Sequence, residues 1–252
     1  MGRPQKEVLE ERQNFMQVIT DCARDPSLFS KVFLDHDLFP YNKRYVNCKD
    51  RFIVYRSGRQ VGKTMSTAVK TIHFAFFAPL MLKTIKHECI ILIAAPTQNQ
   101  AGIMFDRIRS LIVNNKFLKG YVVRNTQTEM WVNFLDNTGM SKIITRATGE
   151  HGTTLRGYSP HCIIADECSF IKTDILRAFL PSGMATNARV WLTSTPFSKS
   201  GYFFEACQNS KLKKPDGLWT EFHIKSTDNP LVREDPTFLE EIKRLTKEEY
   251  VQ

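Results

Sequence analysis

The sequence predicts an α/β fold with a mainly parallel central sheet flanked by helices. Three observations predict it. Apolar runs of strand length alternate with stretches of helical period along most of the chain. The runs Glu88 to Ala95 and His161 to Asp166 are almost uninterrupted apolar sequence, as in strands buried on both faces. Phe52-Ile53-Val54-Tyr55 leads into a Gly- and Arg-rich turn and then directly into a helix.

The elements follow in order. Glu7 to Ala23 carries Val8, Phe15, Ile19 and Cys22 near one face and reads as an amphipathic helix. Asp25-Pro26 breaks it. Ser27 to Leu34 is a second short helix, with Asp25 or Ser27 as its cap. Phe39-Pro40-Tyr41-Asn42 reads as an extended approach to the first strand. Helices follow over Met65 to Phe77 and, after the Glu88–Ala95 strand, from Gln100 to Asn114. Tyr121–Arg124, Met130–Leu135 and Lys142–Arg146 are β-rich, with a turn at Asn137-Thr138-Gly139, and suggest a small antiparallel excursion. Gly149 to Tyr158 reads as a polar loop. Beyond it come the His161–Asp166 strand, a helix over Thr173–Phe179, a strand ending in Thr193-Ser194-Thr195-Pro196, a helix over Gly201–Asn209, a strand over Trp219–Ile224 and a charged helix from Asp235 to Tyr250. Residues 1–200 are the expected core with its N-terminal helices, and 201–252 a lid or linker subdomain.

A chain of 252 residues is one large domain or two small ones, with enough apolar sequence for a real core. The net charge of +9 favours an anionic partner such as nucleic acid; scattered solubility charge explains it equally well. None of the six cysteines forms a Cys-x-x-Cys pair, which leaves a zinc site without support and fits a reducing compartment. No apolar run is long enough to span a membrane as a helix.

The chemistry concentrates in Ser57-Gly58-Arg59-Gln60-Val61-Gly62-Lys63-Thr64. A loop entering a helix offers unpaired N–H groups and the positive end of the dipole to a phosphate. Lys63 reaches β- and γ-phosphates, and the Thr64 hydroxyl suits Mg²⁺. The usual first glycine is displaced: Ser57 stands in its place and Gly58 follows. Asp166-Glu167 closes a later strand, so the pair and the loop share the sheet edge where α/β folds bind ligands. There Asp166 would hold the metal and Glu167 would polarise the attacking water. Thr193, Ser194 and Thr195 could contact the γ-phosphate or that water; a plain turn before Pro196 is the other reading. Arg59 and Arg156, with Arg146 as rival, are candidates to neutralise transition-state charge, although surface salt bridges are the commoner fate of arginine. Tyr41 and Asn42 could stack on and hydrogen-bond an adenine, while Phe39 and Tyr41 equally suit packing at an edge.

Together these segments resemble the ATPase domain of the large terminase subunit of tailed double-stranded DNA viruses. The resemblance rests on Ser57 to Thr64, Ala94-Ala95-Pro96-Thr97, Leu155-Arg156-Gly157, Ile163 to Glu167, Thr193 to Pro196 and Asp228-Asn229-Pro230, in that order over nearly the whole chain. It implies a P-loop NTPase of the ASCE type using ATP and Mg²⁺. Lys63 and Thr64 would bind phosphate and metal, Asp166 metal, and Glu167 water. Arg59 would be a finger in cis and Arg156 one in trans, with Thr193 to Thr195 as the coupling motif. The implied partners are double-stranded DNA, a homo-oligomeric ring (a pentamer), the portal protein and the small terminase subunit, in host cytoplasm and with no membrane. The family often has Gln after Pro-Tyr; here the shorter Asn42 stands there. Full-length members continue into an RNase H-type nuclease domain, so a chain ending at Gln252 is expected to lack DNA cleavage. The competing readings are a superfamily 2 helicase-like ATPase and a nucleotide-regulated nucleic-acid-binding module without turnover.

Overall fold

The computed structural model describes residues 5–149, 152, 155, 157–237, 239 and 240. Three helices come first: α1 (Gln5–Arg24), α2 (Pro26–Phe33) and α3 (Pro40–Asn47). Asp25 caps α2 by accepting from the N–H groups of Ser27 and Leu28. Strand β1 (Phe52–Ser57) then feeds the Gly-rich turn and helix α4 (Lys63–Met81). Next come β2 (Glu88–Ala95), α5 (Gln98–Val113), β3 (Val122–Asn125), β4 (Glu129–Asn133) and β5 (Met140–Ala147). The chain continues with β6 (Cys162–Asp166), α6 (Thr173–Phe179), β7 (Arg189–Ser194), α7 (Tyr202–Asn209), β8 (Thr220–Ile224) and the short α8 (Pro230–Arg233).

All eight strands form one sheet in the order β3-β4-β5-β2-β6-β7-β1-β8. Every pairing from β5 to β8 is parallel, and only the pairings of β4 are antiparallel. Alternate residues of each central strand feed opposite cores. On one face Ile53, Tyr55, Ile91, Ile164 and Trp191 pack with the phenylalanines of α2, α4 and α5. On the other, Val54, Leu92, Ile163 and Leu192 pack with Phe179 and Phe203 of α6 and α7. Two-sided burial is why these strands are apolar throughout. Helix α4 is buried along most of its length, and its buried Lys70 is satisfied by the carbonyls of Tyr45, Val46 and Cys48 at the end of α3.

The structure corrects the sequence reading in one place and extends it in another. Phe39 to Asn42 is not an extended approach. Only Phe39 is extended; Pro40 occupies the first turn of α3, where its missing N–H costs nothing and its fixed φ suits a helix. The β3-β4-β5 segment pairs antiparallel as read, but β5 is also an integral strand of the main sheet. Strand β5 pairs antiparallel with β4 on one side and parallel with β2 over its whole length on the other. Residues 201–252, read as a lid or linker, contribute α7 and the edge strand β8, while the charged helix read over Asp235 to Tyr250 lies largely outside the described residues. Among the described residues, no helix is long and apolar enough to cross a membrane.

Candidate nucleotide-binding and hydrolysis site

Topology assembles the site. β7 lies between β1 and β6, so the ends of three adjacent parallel strands meet at one edge. β1 delivers the phosphate loop, β6 delivers Asp166 and β7 delivers Thr193 and Ser194. The register places Asp166 directly beside Thr193.

The loop is shaped by backbone conformation. Gln60 and Gly62 have positive φ, +60° and +79°. Glycine adopts that region freely, and Gly62 then opens α4 without a side-chain cap. Lys63 is 9% exposed and extends toward the carboxylates. Its Nζ lies 2.6 Å from Glu167 Oε1 and 3.7 Å from Asp166 Oδ1. Thr64 is half-buried one residue into the helix, and the Ser57 hydroxyl is buried with no hydrogen-bond partner among the described residues. Arg59 is exposed and forms no ion pair among the described residues.

The acidic pair is held asymmetrically. Asp166 is buried, and its Oδ1 accepts from Thr193 Oγ1 at 2.6 Å. Burial raises its carboxyl above the usual carboxylate range, while the Lys63 charge and the Thr193 hydroxyl pull it back. Glu167 adopts the left-handed region at φ +49°, a strained conformation for a residue with a Cβ. That turn sends its side chain away from the strand. Its carboxylate receives Lys63 on one oxygen and the Ser194 hydroxyl, at 3.3 Å, on the other. Ser194 Oγ also accepts from Ser169 N, and Ser169 Oγ donates to the Thr195 carbonyl. The hydroxyl-rich end of β7 is thus bonded to both carboxylates and to the turn that follows them.

Tyr41 and Asn42 take positions on α3 beneath the loop. The Asn42 side chain is buried; its Nδ2 donates to Val61 O at 2.9 Å and its Oδ1 accepts from Tyr55 Oη at 2.5 Å. Tyr41 stacks on Phe39 with ring centroids 5.4 Å apart, and its phenolic oxygen is buried with no hydrogen-bond partner among the described residues. Burial raises the Tyr41 phenol to about 12. Arg146 is committed within the fold, to Glu129 at 2.7 Å and Tyr158 at 2.9 Å. Arg156 lies outside the described residues. Sequence reasoning gave no role to Asn229. Its Nδ2 donates to Gln60 O at 2.6 Å, and the Asn-Pro pair that caps α8 was the only signal, one that says nothing about a contact so distant in sequence.

The comparisons with known proteins bear on this edge of the sheet. The family model for the N-terminal part of the terminase large subunit, of the type found in T4-like viruses, matches residues 54–252. That span contains the loop, the acidic pair and the hydroxyl-rich strand end. The chain belongs to this family. Family membership gives the domain nucleotide binding, ATP hydrolysis and a motor role in genome packaging, with DNA and components of the packaging machine as partners. No curated protein matches the chain. Among solved structures, the large terminase ATPase domain of Thermus phage P74-26 aligns with a TM-score of 0.66 at 21% identity, over 82% of this chain and 88% of that one. The bacteriophage HK97 large terminase aligns with a TM-score of 0.63 at 16% identity, over 80% of this chain and 43% of that one. The large terminase of a thermophilic bacteriophage in complex with ADP aligns with a TM-score of 0.57 at 12% identity, over 88% and 49%. At these identities the likeness establishes the fold. The chain spans about half the length of the latter two terminases.

Proposed function

We propose that this terminase domain hydrolyses ATP at the β1-β6-β7 edge to translocate double-stranded DNA into a procapsid. The observation that carries the reading is the convergence of Lys63, Asp166, Glu167, Thr193 and Ser194 in one bonded cluster at the end of three parallel strands. In this reading Lys63 neutralises the β- and γ-phosphates, and Glu167 orients and deprotonates the attacking water. Lys63 has two anions to choose between. A γ-phosphate drawing it away would leave Glu167 on Ser194 and free an oxygen for water. Thr193 keeps Asp166 fixed throughout.

Thr64 and Asp166 fit a Mg²⁺ ion by their chemistry, a hydroxyl and a buried carboxylate being hard oxygen donors. Bound there, the ion would neutralise charge shared between phosphates. Base recognition falls to Tyr41 and Asn42, with Asn42 limited by the bonds it already makes to Val61 and Tyr55. Arg59 serves as the finger in cis, its exposure leaving it free to swing, and Arg156 as the finger in trans. The trans role requires a homo-oligomeric ring, which we take as a pentamer docked through the portal protein and loaded by the small terminase subunit in host cytoplasm. The helicase-like reading shares the loop and the acidic pair. A module without turnover has no use for Glu167.

The test is steady-state ATP hydrolysis with Mg²⁺ across protein concentration, with and without double-stranded DNA. Activity rising more steeply than linearly, stimulated by DNA, is the expected result. Arg156→Ala should be inactive alone and recover on mixing with Glu167→Ala. Linear, DNA-independent turnover with no recovery on mixing contradicts the ring motor.

A further inference from the structure

Two carbonyls of the phosphate loop are gripped from outside by buried asparagines. Asn42, 1% exposed, holds Val61 O, and Asn229, 5% exposed, holds Gln60 O. In a trans peptide the C=O and the following N–H point in opposite directions. Gripping the Gln60 carbonyl therefore aims the Val61 N–H away from Asn229, and gripping the Val61 carbonyl aims the Gly62 N–H away from Asn42. The loop has left-handed backbone at Gln60 and Gly62 but not at Val61 between them. Alternating handedness of this kind makes successive N–H groups converge on an anion. At Gln60, which carries a Cβ, the left-handed conformation is strained. A residue so strained needs an external tether.

Asn229 is joined at its other end to the C-terminal part of the domain. Its Oδ1 accepts from Leu231 N at 3.0 Å and caps α8. The segment leading to it runs along the loop: Gly58 N donates to Ile224 O at 2.8 Å, and Gly58 lies so close to Ser226 that no Cβ would fit.

We propose that Asn229 is a positioning residue of the phosphate site, which ties Gln60 so that the Val61 N–H faces the polyphosphate and makes the binding form of the loop depend on docking of the Ser226–Arg233 segment. This rests on the nucleotide-site reading above. It assigns Asn229 to recognition of the polyphosphate and not of the base.

The experiment measures equilibrium binding of ATP and of inorganic tripolyphosphate, each with Mg²⁺, to wild type, Asn229→Asp, Asn229→Ser and Lys63→Ala. Asp and Ser both keep an oxygen that caps α8; Asp has no donor for Gln60, and the Ser hydroxyl stops about one bond short of the amide nitrogen that reaches it. The expected result is a loss of about tenfold for both ligands in both Asn229 variants, the size set by one buried hydrogen bond, with Tm within about 2 °C of wild type. A role confined to capping leaves both affinities unchanged. Loss in Asn229→Asp alone attributes the effect to added charge and overturns the proposal. Loss for ATP but not tripolyphosphate assigns Asn229 to the base and also overturns it. Unchanged Asn229 variants beside a weakened Lys63→Ala reject the tether and leave the nucleotide site standing. If Lys63→Ala binds both ligands normally, the nucleotide-site reading itself fails.

Discussion

Thr193→Val isolates the contact between the hydroxyl-rich strand end and the buried carboxylate of Asp166. Thr193 is fully buried, and its hydroxyl donates to the buried Asp166 at 2.6 Å. Valine has nearly the same shape and no donor. The hydrogen bond is charge-assisted, and losing one of that kind costs about 1.5–3 kcal/mol. For a chain of this size about 2 kcal/mol lowers Tm by roughly 4–8 °C. The loss should depend on pH. Burial already raises the Asp166 carboxyl above its unfolded value, so the folded state binds the proton more tightly and stability falls as pH rises through that window. Removing the Thr193 hydroxyl raises the folded value further and widens the window. The Tm difference between wild type and Thr193→Val is therefore greatest above that window, and it shrinks as pH falls through it. Thermal unfolding at pH 4, 6 and 8, with ATP turnover at pH 8, measures this. A Tm difference below about 1 °C, or one independent of pH, refutes the argument that Thr193 holds an ionised Asp166.

Two further outcomes follow from the same geometry. Burial lowers the Lys70 amine to about 7, so between that value and its ordinary one the unfolded chain binds the extra proton and wild-type stability rises with pH; Lys70→Met, removing the donor to the carbonyls of Val46 and Cys48, should lower Tm and abolish that rise. Gly58→Ala would set a Cβ 2.6 Å from the backbone nitrogen of Ser226; relieving that clash costs about 1–3 kcal/mol, and nucleotide affinity measured by titration should fall with it as the Ile224–Asn229 segment is pushed off the loop.

The sheet was legible because its central strands are buried on both faces, which forces unbroken apolar runs at Glu88–Ala95 and His161–Asp166. That the loop and Asp166-Glu167 would meet was legible because both follow apolar parallel strands, whose ends lie at one edge of the sheet. Helix α3 was misread because Pro40 and the aromatics around it favour extended chain locally, whereas burial of Tyr45 and Val46 against the core and the Lys70 cap decide for helix. The antiparallel pairing of β5 with β4 was legible, but its parallel pairing with β2 was not, because alternation reports which faces are buried and not which neighbours pair. The grips of Asn42 and Asn229 were invisible for a different reason. A buried amide and a solvated one look alike in sequence, and both contacts join segments that only the fold brings together.

The central claim is that the Lys63 and Asp166-Glu167 cluster is a hydrolytic nucleotide site. The direct measurement is ATP binding and ATP turnover, side by side, for wild type, Lys63→Ala and Glu167→Ala. The account predicts that Lys63→Ala loses both, and that Glu167→Ala keeps binding while its turnover falls at least about a hundredfold, the scale of a lost general base. Turnover in Glu167→Ala equal to wild type, or ATP bound normally by Lys63→Ala, contradicts it.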